Sequence, residues 1–325
     1  MKNKLIRKKI WVYLRLIFGI FLLLLLIRMI DMEQMRIIIT SAVPHLIILG
    51  FLGILLNCLL MTYRWASILW IQQPDISFGH LMRFYFTSAF LGNFLPVNVS
   101  SDIFRIYCAS KYTCDIKGSI SSILVDRIIG TFSLAIVTMI AFMALQKTNQ
   151  IKIGLATSYS IFAVLLCSIL IPLALRQAIV IDVIRNLLSR FEGRLFKKAR
   201  DMLENILMYQ YQHQVIVKVL LISFLSHLNT ILVYYIIAES FSANTSIGYF
   251  FLFIPLTSFL TMLPLSVGGI GVLEAGMVFL FSKVGMPIEM CLSIAISYRV
   301  LLIIATLPGG VVYAIKGFPA KKYNL

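Results

Sequence analysis

The sequence predicts an all-α polytopic membrane protein that forms a single integral membrane domain over residues 1–325. Apolar residues (AVILMFWYC) make up 60% of the 325 residues and charged residues (DEKR) only 13%, against about 45–50% and about 25% in soluble domains. The apolar runs are continuous rather than alternating, which argues against a transmembrane β-barrel. Helices remain, because a helix satisfies its own backbone polar groups in lipid.

Six apolar runs have the length of about 20 residues that a full membrane span requires. In chain order they are Trp11–Ile30, Ile37–Tyr63, Ile120–Leu145, Ile153–Leu175, Val215–Ala238 and Met290–Ile315. Between the first two runs, Asp31–Arg36 is predicted to be a short loop. The aromatic and basic residues Tyr63, Arg64 and Trp65 are predicted to close the second span at the membrane interface.

Two further apolar segments are too interrupted to cross lipid, and we expect each to be a re-entrant pair of half-helices, at residues 78–112 and 248–283. The sequence FLGNFLPVNVSS around Pro96 resembles FLTMLPLSVGG around Pro264. The two prolines are expected to break or hinge the helices at matching places in an inverted repeat, with halves at about 1–175 and 215–325. Such paired interruptions indicate a transporter's binding site near the membrane midplane.

The net charge of +16 is expected to reflect basic loops on the cytoplasmic side rather than nucleic-acid binding. This distribution places both termini in the cytoplasm and the chain in the cytoplasmic (inner) membrane. Residues 176–214 form the longest hydrophilic stretch and are predicted to be a basic amphipathic segment on the inner leaflet. That segment either anchors the topology or recruits an anionic lipid.

Six ionisable residues fall inside predicted membrane segments. They are Asp102, Arg105, Asp126, Arg127, Glu274 and Arg299. A charge near the membrane centre costs about 2.5–3.5 kcal/mol, so we expect these groups to pair or to face a polar interior. The predicted pairs are Asp126 with Arg105, and Glu274 or Asp102 with Arg127 or Arg299. They form either a salt-bridged scaffold or a cavity that binds a charged head group.

The two interruptions also supply predicted helix starts. Ser100 and Ser101 precede one of them. Gly268, Gly269 and Gly271 precede the other, where glycine lets the backbone approach a ligand closely. The free N–H groups of a helix N-terminus suit a phosphate. Alternatively, the glycines only permit a tight turn or close helix packing.

Enzyme motifs are missing from the sequence. It contains no G-x-x-x-x-G-K-[ST] loop and no H-E-x-x-H motif, and its four histidines share no metal-ligand spacing. We therefore expect no enzymatic activity, no cofactor and no metal.

Four stretches together carry a resemblance to a known family: NFLPVNVSSDIFRIY, ILVDRIIGTFSL, LPLSVGGIGVLEAG and SYRVLL. In this order they resemble the transmembrane region of the lysylphosphatidylglycerol synthases, a flippase-like family. The resemblance implies a helical lipid-handling domain with paired re-entrant segments. The family often has Gly-Gly-Asp where this chain has Ser100-Ser101-Asp102. Because the sequence ends at Leu325, we expect a stand-alone member without the soluble aminoacyltransferase domain.

The expected function is that of a lipid flippase. Arg105, Arg127 and Arg299 are predicted to contact the phosphate of a lipid head group in a cavity between the two hairpins. Asp102, Asp126 and Glu274 are expected to hold the arginines in place or to couple a proton. Asn93 and Tyr298 are expected to support them. The substrate is left open among an anionic phospholipid, a hopanoid-type lipid and a polyprenyl-phosphate sugar.

Two alternatives stay open: a non-transporting membrane partner of a lipid-modifying enzyme or glycosyltransferase, and an intramembrane lipid-modifying enzyme. The expected partners are membrane lipids, mainly anionic, together with a glycosyltransferase or lipid synthase. Self-association into an oligomer is compatible with the sequence, and no nucleic-acid partner is expected.

Overall fold

The computed structural model describes residues 25–26, 28, 31–94, 100–147, 201, 203–262, 266 and 269–317. These residues are almost entirely helical and contain no strand. The α-helices are α1 (Met32–Thr40), α2 (Pro44–Leu69), α3 (Phe78–Phe94), α4 (Ser100–Thr113), α5 (Ile116–Lys147), α6 (His213–Ser240), α7 (Ile247–Met262), α8 (Val272–Phe281) and α9 (Ile288–Lys316). Short 3₁₀ helices cover Met208–Tyr211 and Ser282–Val284.

Four of these helices, α2, α5, α6 and α9, are long and apolar enough to cross a membrane. They coincide with four of the six predicted spans. The other two predictions, Trp11–Ile30 and Ile153–Leu175, fall almost wholly outside the described residues. The chain is therefore an all-α, multi-pass membrane protein, while the total of six spans stays a prediction.

The predicted loop at Asp31–Arg36 is wrong, because a helix forms there. The Asp31 carboxylate caps α1 by accepting hydrogen bonds from the backbone N–H groups of Glu33 at 2.9 Å and Gln34 at 3.3 Å. An aspartate at this position satisfies N–H groups that have no partner within the helix. Residues 37–40 therefore belong to α1. The second span begins only at Pro44, a residue type favoured in the first helical position.

The far end of α2 also differs from the prediction. The helix continues to Leu69, and both Arg64 and Trp65 are buried inside the protein. Only Tyr63 of the predicted interfacial cluster is exposed. The physical reason is a carboxylate on α5, described below, which gives the arginine a partner in the interior.

Both interrupted segments fold as antiparallel helical hairpins. In the first, the His80 and Tyr112 rings lie 4.9 Å apart at the open end, and a Cβ added at Gly92 would lie 2.9 Å from the Ser101 Cβ near the turn. In the second, Gly276 of α8 packs against Thr257 of α7. Helices α3–α4 and α7–α8 therefore occupy the segments 78–112 and 248–283, while the re-entrant placement of either pair stays a prediction.

Helix length is consistent with half-helices. The 10 residues of α8 rise about 15 Å and the 17 residues of α3 about 26 Å at 1.5 Å per residue. Each is shorter than the hydrocarbon core of about 30 Å. The described residues do not include Pro96 or Pro264, the predicted break points.

The chain divides into two compact units. One comprises Met1–Cys58, Arg83–Phe104 and Leu228–Gly317, and the second comprises Leu59–Met82, Arg105–His227 and Phe318–Leu325. In the described part of the first unit, α1 and α8 both pack against α9. In the described part of the second unit, Tyr209 packs in an apolar core with Ile68, Val125 and Val219.

Candidate functional site

Asp126 lies at the centre of a buried charge cluster in the second unit. Its Oδ1 accepts a hydrogen bond from Arg64 Nε at 2.6 Å and its Oδ2 accepts one from Arg64 Nη2 at 2.9 Å. The same Oδ2 accepts a third, from Arg105 Nη1 at 3.3 Å. We call these three residues the Asp126 cluster. The paired fork of one guanidinium on one carboxylate is the strongest geometry available to such a pair.

Small and polar residues around Arg64 make this geometry possible. A Cβ added at Gly130, one turn after Asp126 on α5, would lie 3.0 Å from Arg64 Nη1. The Gly130 carbonyl accepts a hydrogen bond from His227 Nε2 at 3.0 Å, so that nitrogen carries the proton. The Ser223 hydroxyl also lies 3.5 Å from Arg64 Nη1. The helices α2, α5 and α6 thus close around the guanidinium.

Arg105 reaches the cluster across an aromatic face. Its guanidinium carbon lies 5.4 Å from the centre of the Trp65 ring, within the range of a cation–π interaction. The indole Nε1 of Trp65 donates a hydrogen bond to the Ser122 hydroxyl at 3.2 Å, which fixes the ring. This arrangement joins α4 to α2 and α5.

Burial shows what the Asp126 cluster can do chemically. The side chains of Arg64, Arg105 and Asp126 are only 4%, 7% and 1% exposed. Removing one partner of such a pair leaves an uncompensated charge in a medium that solvates it poorly. The cluster therefore works as an internal clamp between helices, and access for a ligand would require the helices to move.

A second cluster lies in the first unit, at the start of α8. Arg299 Nε on α9 donates a hydrogen bond to Glu274 Oε1 at 2.8 Å. The other oxygen of Glu274 accepts the backbone N–H of Gly271 at 2.7 Å, and Arg299 Nη2 donates to the Gly269 carbonyl at 3.3 Å. We call Glu274, Arg299, Gly269 and Gly271 the Glu274 cluster.

The turn before α8 depends on its two glycines. Gly269 and Gly271 have φ values of 71° and 81°, a left-handed conformation that residues with a Cβ rarely adopt. Tyr298, adjacent to Arg299, stacks on Tyr234 with the ring centres 4.1 Å apart. The carboxylate and the guanidinium therefore hold a defined helix start, and the ring stack holds the helix that carries the guanidinium.

The two clusters differ in accessibility. The Arg299 side chain is 22% exposed, whereas its partner Glu274 is 2% exposed. Arg299 is thus the most accessible of the three arginines that contact Asp126 or Glu274, since the side chains of Arg64 and Arg105 are each less than a tenth exposed. A phosphate could approach the Arg299 guanidinium from its exposed side without displacing a helix.

The predicted ion pairs are found. Asp126 pairs with Arg105, and among the alternatives left open for the others, Glu274 pairs with Arg299. Asp102 is buried in the first turn of α4, and Arg127 is half-buried on α5. Their assignment to lipid binding stays a prediction.

The other predicted site residues have local roles or lie outside the described part. Asn93 Nδ2 donates a hydrogen bond to the Thr306 hydroxyl at 3.5 Å, and Ser101 packs against Gly92. Gly268 and the side chain of Ser100 are not among the described residues. In the described part, no group of three His, Cys, Asp or Glu side chains is arranged to hold a metal ion.

Sequence reasoning missed Arg64, Gly130 and His227. Arg64 stands between two aromatic residues near the end of an apolar run, a pattern typical of the membrane interface. The available signal was the run of apolar residues after Trp65, which extends the helix to Leu69 and places Arg64 more than a turn inside it. Nothing in the sequence pairs Gly130 with Arg64 or His227, because those contacts join different helices.

Comparison with known proteins supports the resemblance seen in the sequence. Residues 12–310 match the family described as "Lysylphosphatidylglycerol synthase TM region". A comparison with curated proteins gave no match. The match covers most of the chain and includes both charge clusters and both hairpins. The chain therefore belongs to the lysylphosphatidylglycerol synthase transmembrane-region family, a family of membrane proteins tied to lipid handling.

Proposed function

We propose that this protein moves a phosphate-bearing lipid between the leaflets of the cytoplasmic membrane, and that the Glu274 cluster contacts its head group. The observation that carries the proposal is the partly exposed guanidinium of Arg299, held beside a helix start within an apolar chain. Arg127, half-buried on α5, is proposed as a further contact within the second unit, whereas Arg105 stays paired in the Asp126 cluster. Family membership supports lipid handling in general, and the movement between leaflets is our proposal.

The position of Arg299 along α9 supports this role. It lies eleven residues after the start of a helix that begins at Ile288, a rise of about 16 Å. That is close to half of a hydrocarbon core of about 30 Å. A head group that reached Arg299 would therefore be about midway between the leaflets, where a transporter lowers the barrier most.

The start of α8 supports an anionic ligand. The first backbone N–H groups of a helix are not used by the helix itself, and the helix dipole places partial positive charge there. Phosphate groups bind well at such positions. If α7–α8 is re-entrant, as its hairpin geometry favours, this helix start lies inside the membrane next to Arg299.

The chemistry proposed is an exchange of partners. In the resting state Glu274 neutralises Arg299. A lipid phosphate would take over part of that interaction, so that neither guanidinium nor phosphate is left uncompensated in lipid. Acyl or prenyl chains would stay in the bilayer, and the lipid would leave chemically unchanged. The Asp126 cluster would hold the helices together during the movement.

Leaflet exchange in proteoliposomes tests the proposal. Purified protein is reconstituted with phosphatidylglycerol carrying a fluorescent head group, and exchange is followed by quenching from outside. We compare the wild type, Arg299→Gln, and Arg36→Gln as a matched control at an exposed residue of α1. We expect the wild type and Arg36→Gln to exchange lipid at least about tenfold faster than empty liposomes, a barrier difference of about 1.4 kcal/mol.

Arg299→Gln is expected to fall close to the rate of empty liposomes, and Arg299→Lys to retain part of the rate because it keeps the charge. Unfolding curves of each variant separate loss of exchange from loss of folding. Exchange by the wild type no faster than in empty liposomes, across several anionic lipids, would contradict the proposal and favour a non-transporting partner. Chemically altered lipid in the mass spectrum would favour an enzyme.

A further inference from the structure

Among the described residues, no carboxylate pairs with the guanidinium of Arg83. It lies on α3, its side chain is half-buried, and its Nε is buried without a hydrogen-bond partner among the described residues. Arg64, Arg105 and Arg299 each contact a carboxylate. Within the described ranges Arg83 forms no such ion pair.

The helices around Arg83 in its own unit explain this. Helix α3 contains no Asp or Glu. Asn93 of α3 contacts Thr306, and Thr87 contacts the Gly309 carbonyl at 3.2 Å, so α9 runs antiparallel to α3. The part of α9 beyond Gly309 follows this contact toward Arg83 within the same unit, and it contains no acidic residue. The acid of α4, Asp102, is beside Ser101 at the opposite end of the hairpin.

The position of Arg83 along α3 and the shape of its guanidinium indicate which kind of group could bind it. Arg83 lies five residues after the start of α3 at Phe78, a rise of about 7–8 Å. An arginine at this distance from a helix end can extend toward the lipid head groups. A charged residue left uncompensated in the membrane destabilises the protein, so such residues pair with an opposite charge. The planar guanidinium fork matches the oxygens of a phosphate.

We propose that Arg83 binds the phosphodiester of an anionic lipid in the leaflet where α3 begins. The head group completes the ion pair that the described residues leave open, and Arg83 is thereby a first contact for lipid on the way to the Glu274 cluster. This inference rests on the proposed lipid-handling function. Its test measures equilibrium binding, so that it fails or succeeds independently of leaflet exchange.

The experiment uses the full chain in nanodiscs. Thermal unfolding is measured in phosphatidylcholine alone, in phosphatidylcholine with added phosphatidylglycerol, and in phosphatidylcholine with inorganic phosphate. The variants are Arg83→Gln, Arg83→Lys and the control Arg36→Gln. Native mass spectrometry of the same samples measures how much phosphatidylglycerol each variant retains.

We expect phosphatidylglycerol to raise the Tm of the wild type and of Arg36→Gln, and to leave that of Arg83→Gln unchanged. The phosphodiester of phosphatidylcholine is already balanced by its own choline and compensates Arg83 less than that of an anionic lipid. In phosphatidylcholine alone, Arg83→Gln should therefore be as stable as the wild type or more stable. Retention of phosphatidylglycerol should fall at least about fivefold in Arg83→Gln, which corresponds to about 1 kcal/mol. Arg83→Lys should keep part of both effects.

Three results would overturn the inference. The first is an equal phosphatidylglycerol effect in Arg83→Gln and the wild type. The second is a lower Tm of Arg83→Gln in phosphatidylcholine alone, which would indicate a purely structural role. The third is an equal effect of inorganic phosphate and phosphatidylglycerol, which would indicate a site for free phosphate rather than for a lipid.

Discussion

Charge compensation at single residues explains most of what this chain does with its intramembrane ionisable groups. Asp126 receives two arginines, and Glu274 receives one arginine and a backbone N–H. The two carboxylates are almost fully buried, while the exposure of their arginines differs. A buried carboxylate with strong hydrogen-bond partners keeps its position. An accessible arginine beside it is therefore the group that can bind a second anion.

Asp126→Asn should destabilise the protein strongly. The amide keeps the shape of the side chain but leaves Arg64 and Arg105 without their negative partner in a buried site. Breaking a buried ion pair from one side costs about 3–5 kcal/mol. The free energy of unfolding, measured by denaturant titration in detergent, is expected to fall by that amount.

A matched control is available in the exposed ion pair between Lys117 Nζ and Asp201 Oδ2, which are 2.8 Å apart. Their side chains are 61% and 39% exposed, and solvent screens such a pair. Asp201→Asn should therefore change the free energy of unfolding by less than about 1 kcal/mol. Equal effects of the two substitutions would contradict the role given to Asp126.

Gly130→Ala tests whether the Arg64 guanidinium is held rigidly. The added methyl group would lie 3.0 Å from Arg64 Nη1, and the fork on Asp126 prevents that atom from moving away. Overpacking of this kind costs about 1–3 kcal/mol, more than the gain of about 1 kcal/mol in helix propensity. We expect a lower Tm.

The control for Gly130→Ala is Gly79→Ala on α3, where no other atom lies within 4 Å of the added methyl group. There only the propensity gain applies, so the Tm should stay the same or rise. A Tm for Gly130→Ala that matches or exceeds the wild type would show that Arg64 can move aside.

At the scale of helices, the hydrophobic pattern predicted the long helices well, whereas the charged residues did not predict where the helices end. The long apolar runs give α2, α5, α6 and α9, because a helix in lipid needs length and apolarity and little else. The second span begins at Pro44 and not at Ile37, because Asp31 caps a separate helix that includes residues 37–40. The burial of Arg64 could not be derived, since it depends on Asp126 on another helix.

Tyr209 is a buried tyrosine in the 3₁₀ helix Met208–Tyr211, which precedes α6. The side chain is 3% exposed, and no described residue accepts a hydrogen bond from its hydroxyl. Burial raises the pKa of Tyr209 to about 12; the nearby Ser121 hydroxyl partly opposes this shift, and the negative charge of Asp115 adds to it. The folded protein therefore holds this proton more tightly than the unfolded chain.

The stability of the wild type should fall as the pH rises from about 10 to about 12, because the unfolded chain loses the Tyr209 proton first. Two pH units correspond to about 2–3 kcal/mol. Tyr209→Phe should abolish this part of the pH dependence and leave the Tm at pH 7 unchanged or higher, since no hydrogen bond is lost. Unfolding curves at several pH values decide, and an unchanged slope in Tyr209→Phe would contradict the assignment.

At the scale of the whole molecule, the sequence predicted an internal repeat, but it only partly predicted which carboxylate each arginine contacts. The similar sequences around Pro96 and Pro264 predicted two re-entrant hairpins; helices occupy both segments, and their re-entry stays a prediction. The pairing of Arg299 with Glu274 was one of several alternatives. Arg83 was overlooked, because the absence of a nearby carboxylate is a property of the folded chain and leaves no mark in the sequence.

The residues that flank each hairpin report whether the hairpin crosses the membrane or returns to the side from which it entered. If α3–α4 is re-entrant, the exposed positions Asp75 and Cys114, which flank it, lie on one side of the membrane. If α7–α8 is also re-entrant, then Asn244 and Lys283 share a side as well. The positive-inside rule places the first pair in the cytoplasm, with Lys111 and Lys117, and the second pair outside.

Labelling with a membrane-impermeant maleimide, in vesicles of known orientation, tests this arrangement. Every chain carries Cys167→Ser, because Cys167 lies outside the described residues. Each then has one site to be labelled: the native Cys114, or Asp75→Cys, Asn244→Cys or Lys283→Cys in a Cys114→Ser background. The buried thiols of Cys58, Cys108 and Cys291 serve as the unlabelled reference, read in the chain with Cys114→Ser and Cys167→Ser alone. We expect Asp75→Cys and Cys114 to react from the cytoplasmic side only, and Asn244→Cys and Lys283→Cys from the outer side only. Labelling of the two flanks of one hairpin from opposite sides would mean that it crosses the membrane completely, which would remove the helix start of α8 from the midplane and with it the basis of the proposed head-group site.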